Sequence, residues 1–96
     1  MDKISDRVFI HRVECHRDKK LEVVKSLAQL LLEKRQRFRD ILSRYCKVYQ
    51  IYIDIDESLT SETCLVSITA LVSIADLKSK IKIQEEAIPL LKTILF

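Results

Sequence analysis

The stretch that decides the fold is VYQIYIDIDESLTSETCLVSITALVSI, residues 48–74, in which two apolar runs flank a polar segment. Both runs alternate apolar and polar residues, which is the period of a strand with one buried face. We therefore predict strands over Val48 to Asp56 and Glu62 to Ile74, paired as an antiparallel hairpin. Because the chain contains no Gly and no Asn, a loop over Glu57 to Glu62 is favoured over a tight two-residue turn.

The alternation also predicts which side chains of the hairpin enter a core. In the first strand Tyr49, Ile51, Ile53 and Ile55 share one face, and Gln50, Tyr52 and Asp54 share the other. In the second strand the expected core face consists of Cys64, Val66, Ile68, Ala70, Val72 and Ile74. Leu65, Ser67, Thr69, Leu71 and Ser73 point away.

Upstream of the hairpin, the pattern predicts one strand and one long helix. RVFIHRVEC, Arg7 to Cys15, is rich in β-branched and aromatic residues, which is typical of a strand. Strict alternation groups Phe9, His11, Val13 and Cys15 on one face, with Val8 and Ile10 on the other. Asp18 is the expected cap of a helix that runs to about Cys46. Its apolar seam is Val24, Ala28, Leu31, Arg35, Phe38, Leu42 and Tyr45, widened by Leu27, Leu30 and Ile41.

Downstream of the hairpin, Asp76 opens a second helical stretch that reaches Phe96. Pro89 lacks a donor N–H, so a break is expected near Gln84 to Glu86, and a short fourth strand around Ile81 to Ile83 stays open. The order β-α-β-β-α predicts a single two-layer α+β domain over residues 1–96. It has an antiparallel sheet of about three strands, with the long helix and the C-terminal helix on one face.

Such a sheet leaves its second face bare in a monomer. The pattern places apolar side chains there among Arg12, Gln50 and Ser67, and a mixed apolar patch of this kind is more typical of an interface than of a wetted surface. We therefore predict a homodimer whose interface consists of Val8, Ile10, Tyr52, Leu65 and Leu71.

Charge suggests an alternative function. Residues 1–47 carry a net charge of +6 and residues 48–96 a net charge of −3. Many of the cations lie on the second half of the long helix, where clustered cations could displace counterions from phosphates. Arg37 and Arg44 follow acidic residues at the i,i+4 spacing of helical ion pairs, so they are set aside. The remaining candidate nucleic-acid contacts are Lys19, Lys20, Lys34, Arg35, Arg39 and Lys47.

Several classes of site are disfavoured. Without Gly the chain cannot build a phosphate-binding loop or a nucleophile elbow, so no enzyme activity and no cofactor are expected. On a strand His16 points away from His11 and Cys15, which argues against a metal site. The three cysteines show no CxxC spacing. The carboxylates Asp54, Asp56, Glu57 and Glu62 are interpreted as a polar turn.

Two expectations concern the cell. The charged N-terminus and the lack of a long apolar run predict a cytoplasmic protein that does not insert into membranes. The lack of Asn is typical of thermophiles, where one disulfide among Cys15, Cys46 and Cys64 would be credible. The sequence thus predicts a small protein-interaction or regulatory module that acts as a homodimer and meets another protein. The alternative is a dimeric nucleic-acid-binding protein that uses the basic helix.

Overall fold

The structure, a computed structural model, describes residues 4–95 and confirms the α+β architecture. Its elements are the strands β1 (Ile4–His16), β2 (Lys47–Asp56) and β3 (Thr63–Ile74), and the helices α1 (Lys20–Leu42), α2 (Leu77–Lys82) and α3 (Ile88–Leu95). A 3₁₀ turn, Arg17–Lys19, precedes α1, and a π-helical turn, Ile83–Ala87, joins α2 to α3. Within the described residues no helix is long and apolar enough to cross a membrane.

The three strands form one sheet in the order β1-β3-β2. Both outer strands run antiparallel to β3. The hairpin places β2 beside β3, and α1 carries the chain from β1 past β3 to β2. As a result β3, the most apolar strand, is the central strand and is hydrogen-bonded on both edges.

The core lies between the helices and one face of β3. All six residues predicted for that face are at most 3 % exposed, and they form one cluster with the buried side chains of α1 and α3. Phe38 and Leu42 of α1 and Leu91 of α3 are fully buried in this cluster. The opposite side of the sheet, termed the outer face, is not covered by any element within residues 4–95.

A β-bulge in β1 overturns the predicted alternation of that strand. Phe9 pairs with Thr69 and His11 pairs with Ile68, so Ile10 is an extra residue in the ladder. The register shift brings Val8 and Ile10 into the core, where they are 2 % and 1 % exposed. Their assignment to the outer face, and with it to a dimer interface, is therefore wrong. Phe9 instead shares the outer face with Thr69, its cross-strand partner.

A second bulge lies at the start of β2. The register shifts between Val48 and Gln50, so Tyr49 is the extra residue. Tyr49 was predicted to share the core face with Ile51, but it is 48 % exposed. The Nζ atom of Lys47 lies 5.4 Å from the centroid of the Tyr49 ring.

The helix α1 is shorter than predicted, and its buried face is rotated about the helix axis relative to the predicted seam. It ends at Leu42, not near Cys46, and Asp18 makes no capping hydrogen bond because it lies in the 3₁₀ turn. Ala28 and Arg35, both assigned to the seam, are exposed. The buried face consists of Leu27, Leu31, Phe38, Ile41 and Leu42. The rotation arises because α1 packs against both the sheet and α3. The flank of α1 towards α3 is covered, and the flank beside β2 is left exposed.

Residues 77–95 are helical throughout, so the fourth strand around Ile81 to Ile83 is not formed, and Phe96, the predicted end of this stretch, lies outside the described residues. Asp76 caps α2 as predicted, since its Oδ1 accepts a hydrogen bond of 2.7 Å from the Ser79 amide. The expected irregularity before Pro89 takes the form of the π-helical turn. It precedes a proline in the first turn of α3, where the missing N–H is tolerated.

Thr69 lies at the middle of β3 and has an unsatisfied hydroxyl. The residue is fully buried, and its Oγ1 has no hydrogen-bond partner within the described residues. On the same strand, the Thr63 hydroxyl lies 2.7 Å from the Thr60 hydroxyl. A buried hydroxyl without a partner lowers stability, whereas a bonded one contributes to it.

We expect Thr69→Val to raise the free energy of unfolding by about 1 kcal/mol, because it replaces an unpaired hydroxyl with a methyl group of similar size. The matched control Thr63→Val should lower it by a similar amount. Urea titration of the three proteins measures both effects. Equal destabilisation by the two substitutions would show that the Thr69 hydroxyl is satisfied.

Candidate interaction surfaces

The outer face has aromatic and charged side chains over a polar centre. Phe9 and Tyr52 both pair with Thr69, one from each neighbouring strand, and so flank it. The guanidinium carbon of Arg12 lies 3.7 Å from the centroid of the Phe9 ring, a cation–π contact. An ion pair of 3.6 Å between Arg7 Nη1 and Asp54 Oδ2 joins β1 to β2 across the central strand. The middle of the outer face is therefore partly covered by its own side chains.

Three of the five predicted interface residues lie on this face. Tyr52, Leu65 and Leu71 are half-buried there, whereas Val8 and Ile10 belong to the core. Phe9 is the interface candidate that sequence reasoning missed, because only the bulge moves it outward. Whether the outer face binds a second copy stays a prediction.

Highly exposed apolar side chains also lie along the flank of α1 that faces β2. Leu32 and Leu21 are 79 % and 63 % exposed, and Ile55 on β2 is 41 % exposed. Between this flank and β2 runs a groove of about 360 Å³, termed the edge groove. It is lined by Ala28, Leu31, Leu32, Arg35 and Arg39 of α1 and by Gln50, Ile51, Tyr52 and Ile53 of β2.

The six candidate nucleic-acid contacts do not share one surface. Lys19 and Lys20 lie at the start of α1, about 28 Å from Arg39 along the helix axis. Arg35 and Arg39 line the edge groove, and Lys34, about 100° further round the helix from Arg35, does not. Lys47 lies at the start of β2.

Four of these cations also have partners within the chain. The Lys19 Nζ lies 3.8 Å from a carboxylate oxygen of Glu22, and Lys20 donates to Glu57. The Arg39 Nη1 donates to the Val48 carbonyl over 3.3 Å, and Lys47 contacts the Tyr49 ring. Only Lys34 and Arg35 of the six candidates have no such contact described.

The acidic loop between β2 and β3 is tied to the start of α1. Arg17 donates to the carbonyls of Glu57 and Thr60, and Lys20 donates to the Glu57 carboxylate. This hydrogen bond from Lys20 is the main cause that lowers the pKa of Glu57. Within residues 4–95 no group of three or more potential ligand side chains could hold a metal ion. Glu57 thus holds the loop in place, whereas Asp54, assigned to the same polar turn, lies within β2 and pairs with Arg7.

The cysteines are free thiols. Cys15 and Cys64 pair directly across β1 and β3, with their Sγ atoms 3.7 Å apart. Removal from water, followed by the hydrogen bond with Cys64, raises the pKa of the Cys15 thiol, and burial raises that of Cys46. A raised pKa disfavours the thiolate that a nucleophile requires.

Comparison with known proteins finds no matching family, no matching curated protein and no matching solved structure. The outer face and the edge groove are therefore the surfaces that bear on the function of this protein.

Acid should destabilise the fold, because hydrogen bonds lower the pKa of four carboxyl groups, those of Asp6, Asp56, Glu57 and Asp76. Each group then contributes stability that is present above its unfolded pKa of about 4 and is lost as the pH falls through the lower folded value. We expect a thermal midpoint that is constant from about pH 7 to 5 and falls by several degrees below about pH 4.

Circular dichroism melts across this pH range measure the effect. In Glu57→Gln the acid-induced fall should be smaller, because one of the four groups no longer titrates. A midpoint that stays constant down to about pH 2 would contradict the contribution of these carboxylates.

Proposed function

We propose that this protein is a non-enzymatic interaction module that works as a homodimer joined through the outer face. The observation that carries the proposal is the arrangement of side chains on that face. Its two edges carry opposite net charges, with Arg7, Arg12 and Glu14 on β1 and Lys47, Asp54 and Asp56 on β2. Aromatic rings lie between them, and no described element covers the face.

The register makes the two central rows of this face complementary to themselves. Arg12 and Asp54 both pair with Ser67, so they lie in one row across the sheet, and Phe9 and Tyr52 share the next row, at Thr69. A two-fold axis parallel to β3 would stack β1 of one copy over β2 of the other. Arg12 would then face Asp54 of the second copy, and Phe9 would face its Tyr52.

The other two-fold arrangement is disfavoured by charge. An axis perpendicular to the strands and centred on Thr69 would stack β1 on itself, because it exchanges the two ends of each strand. Arg12 would then lie over Arg7 of the second copy, and like charges in contact cost free energy. The first arrangement also places Glu14 over Asp56 of the second copy, in the row at Leu65, so it is favoured by the contacts of Arg12 with Asp54 and of Phe9 with Tyr52 in the two central rows. In both arrangements the strands of the two sheets run nearly aligned, the usual packing of sheet on sheet.

The size of the face sets the expected affinity. Three strands about 4.8 Å apart and about ten residues long present roughly 500 Å² per copy, or about 1,000 Å² in total. Stable interfaces bury about 1,200–2,000 Å², so this dimer falls in the weak, reversible class. We expect a dissociation constant in the micromolar range.

The nucleic-acid alternative has less support. It requires a cluster of cations free to meet phosphates, and four of the six candidates, Lys19, Lys20, Arg39 and Lys47, make contacts within the chain. The two that remain, Lys34 and Arg35, lie on different flanks of α1. A protein partner, unlike the phosphates of a nucleic acid, would contact the exposed apolar side chains of this protein as well as its charged ones.

Light scattering between about 10 μM and 1 mM should show conversion of an 11.3 kDa monomer to a dimer with concentration. Leu71→Glu should leave the protein monomeric throughout, because it places a charge in an apolar contact where hydration is lost. Arg12→Glu should weaken the dimer by bringing two carboxylates together.

Leu77→Glu is the matched control. Leu77 is an exposed leucine of α2, away from the outer face, and its substitution should leave the dimer intact. The proposal fails if the protein stays monomeric at 1 mM or if Leu77→Glu dissociates the dimer as readily as Leu71→Glu.

A further inference from the structure

We infer that the edge groove is a second binding surface, separate from the outer face, and that it accepts an extended acidic segment of another protein as an additional strand beside β2. The proposal goes beyond dimerisation. It rests on three properties of the groove: a free strand edge, an exposed apolar flank of α1, and arginines without acidic partners.

The free edge belongs to β2. Among the described residues this strand pairs with β3 on one side only, so the backbone groups of its other side point into the edge groove. Arg39 donates to the Val48 carbonyl and so occupies the beginning of that edge. Residues 50–56 continue beyond it for about 23 Å, which is enough for a guest strand of six or seven residues.

The apolar part of the groove lies above this edge. Ala28 and Leu32 are one helical turn apart on α1 and both are exposed, Leu32 by 79 %. Ile53 and Ile55 of β2 point towards the same side of the sheet, and Ile55 is also exposed. In a guest strand, every second side chain would face α1, and apolar residues at the α1-facing positions beside Leu32 and Ile55 would bury these groups.

The charge of the groove specifies the α1-facing positions of the guest that lie near the start of β2. Arg35 and Arg39 both line it, and neither has an acidic residue three or four positions away on α1. Arg35 has Leu31, Leu32 and Phe38 at those positions, besides Arg39. Carboxylates of a guest strand would supply the missing partners, and charge-assisted hydrogen bonds to arginine are among the stronger ones.

The same charges argue against a second copy of this chain in the groove. Symmetric pairing of two β2 edges would bring Arg35 and Arg39 of both copies into one interface, where no acidic residue of the groove lining offsets them. Charged residues beside a free edge are a recognised way in which proteins prevent such self-pairing. An acidic strand from a different protein removes this repulsion, so it is the occupant we propose.

The test is fluorescence anisotropy with a fluorescein-labelled ten-residue peptide in which Thr alternates with Val in the first half and with Glu in the second half, so that Val and Glu share the α1-facing side. We expect binding with a dissociation constant on the order of 10 to 100 μM, weakening as salt rises. The same peptide with Lys in place of Glu should not bind measurably. A version of the acidic peptide with every second backbone amide methylated should bind at least tenfold more weakly, because it cannot pair with β2.

Substitutions locate the site. Arg35→Glu and Leu32→Asp should each weaken binding of the acidic peptide about tenfold or more. Their matched controls, Arg37→Glu and Leu77→Asp, make the same changes at exposed positions outside the groove and should leave binding within about twofold. Because all four side chains are exposed, circular dichroism should show the same fold for every variant.

The two proposals fail separately. Leu71→Glu, which should abolish the dimer, should still bind the acidic peptide, and Arg35→Glu should still dimerise. Equal binding of the lysine peptide or of the methylated peptide would overturn the added-strand proposal, as would equal losses in the control variants. Tighter binding of a labelled 20-base-pair DNA duplex than of the peptide, lost in Arg35→Glu, would also overturn it and assign the groove to nucleic acid.

Discussion

The structure depends on the pairing of β3 with a strand on each side. Its inward residues are almost completely buried, and both of its edges are used by the backbones of β1 and β2. A strand this apolar with a free edge would template aggregation. Placing it in the centre leaves the two more polar strands at the edges, and it requires α1 to carry the chain across from β1 to β2.

The central position of β3 also determines where the open surfaces lie. Both helical segments pack on one face of the sheet, so among residues 4–95 only side chains of the sheet itself cover the outer face. On the covered face, α3 shields the flank of α1 that carries Leu30 and Ile41. The opposite flank, with Ala28 and Leu32, is left beside β2, and the edge groove is the consequence.

A chain without glycine has to form its turns by other means. Within residues 4–95 no residue adopts a positive φ. The β2–β3 loop is instead held by side chains: Asp56 accepts from the Ser58 amide, and the Thr60 hydroxyl accepts from the amides of Glu62 and Thr63. Arg17, at the β1–α1 junction, donates hydrogen bonds to the loop carbonyls of Glu57 and Thr60 and so anchors the loop there. A loop held in this way is longer than a two-residue turn. This loop also depends on the charges of the Asp56 and Glu57 carboxylates, which acid can remove.

The sequence by itself determined the element order, the hairpin, the inward face of β3 and the cap at Asp76, because each follows from a local period or a local hydrogen bond. Only the tertiary structure decided the two bulges and the rotation of α1. A bulge such as that at Ile10 depends on how a strand fits its partner, and a single extra residue exchanges the faces of the preceding segment. Likewise a broad apolar stripe does not show which flank a second helix will cover. Ala28 and Arg35 looked like core positions for this reason, and their exposure beside β2 is what creates the edge groove.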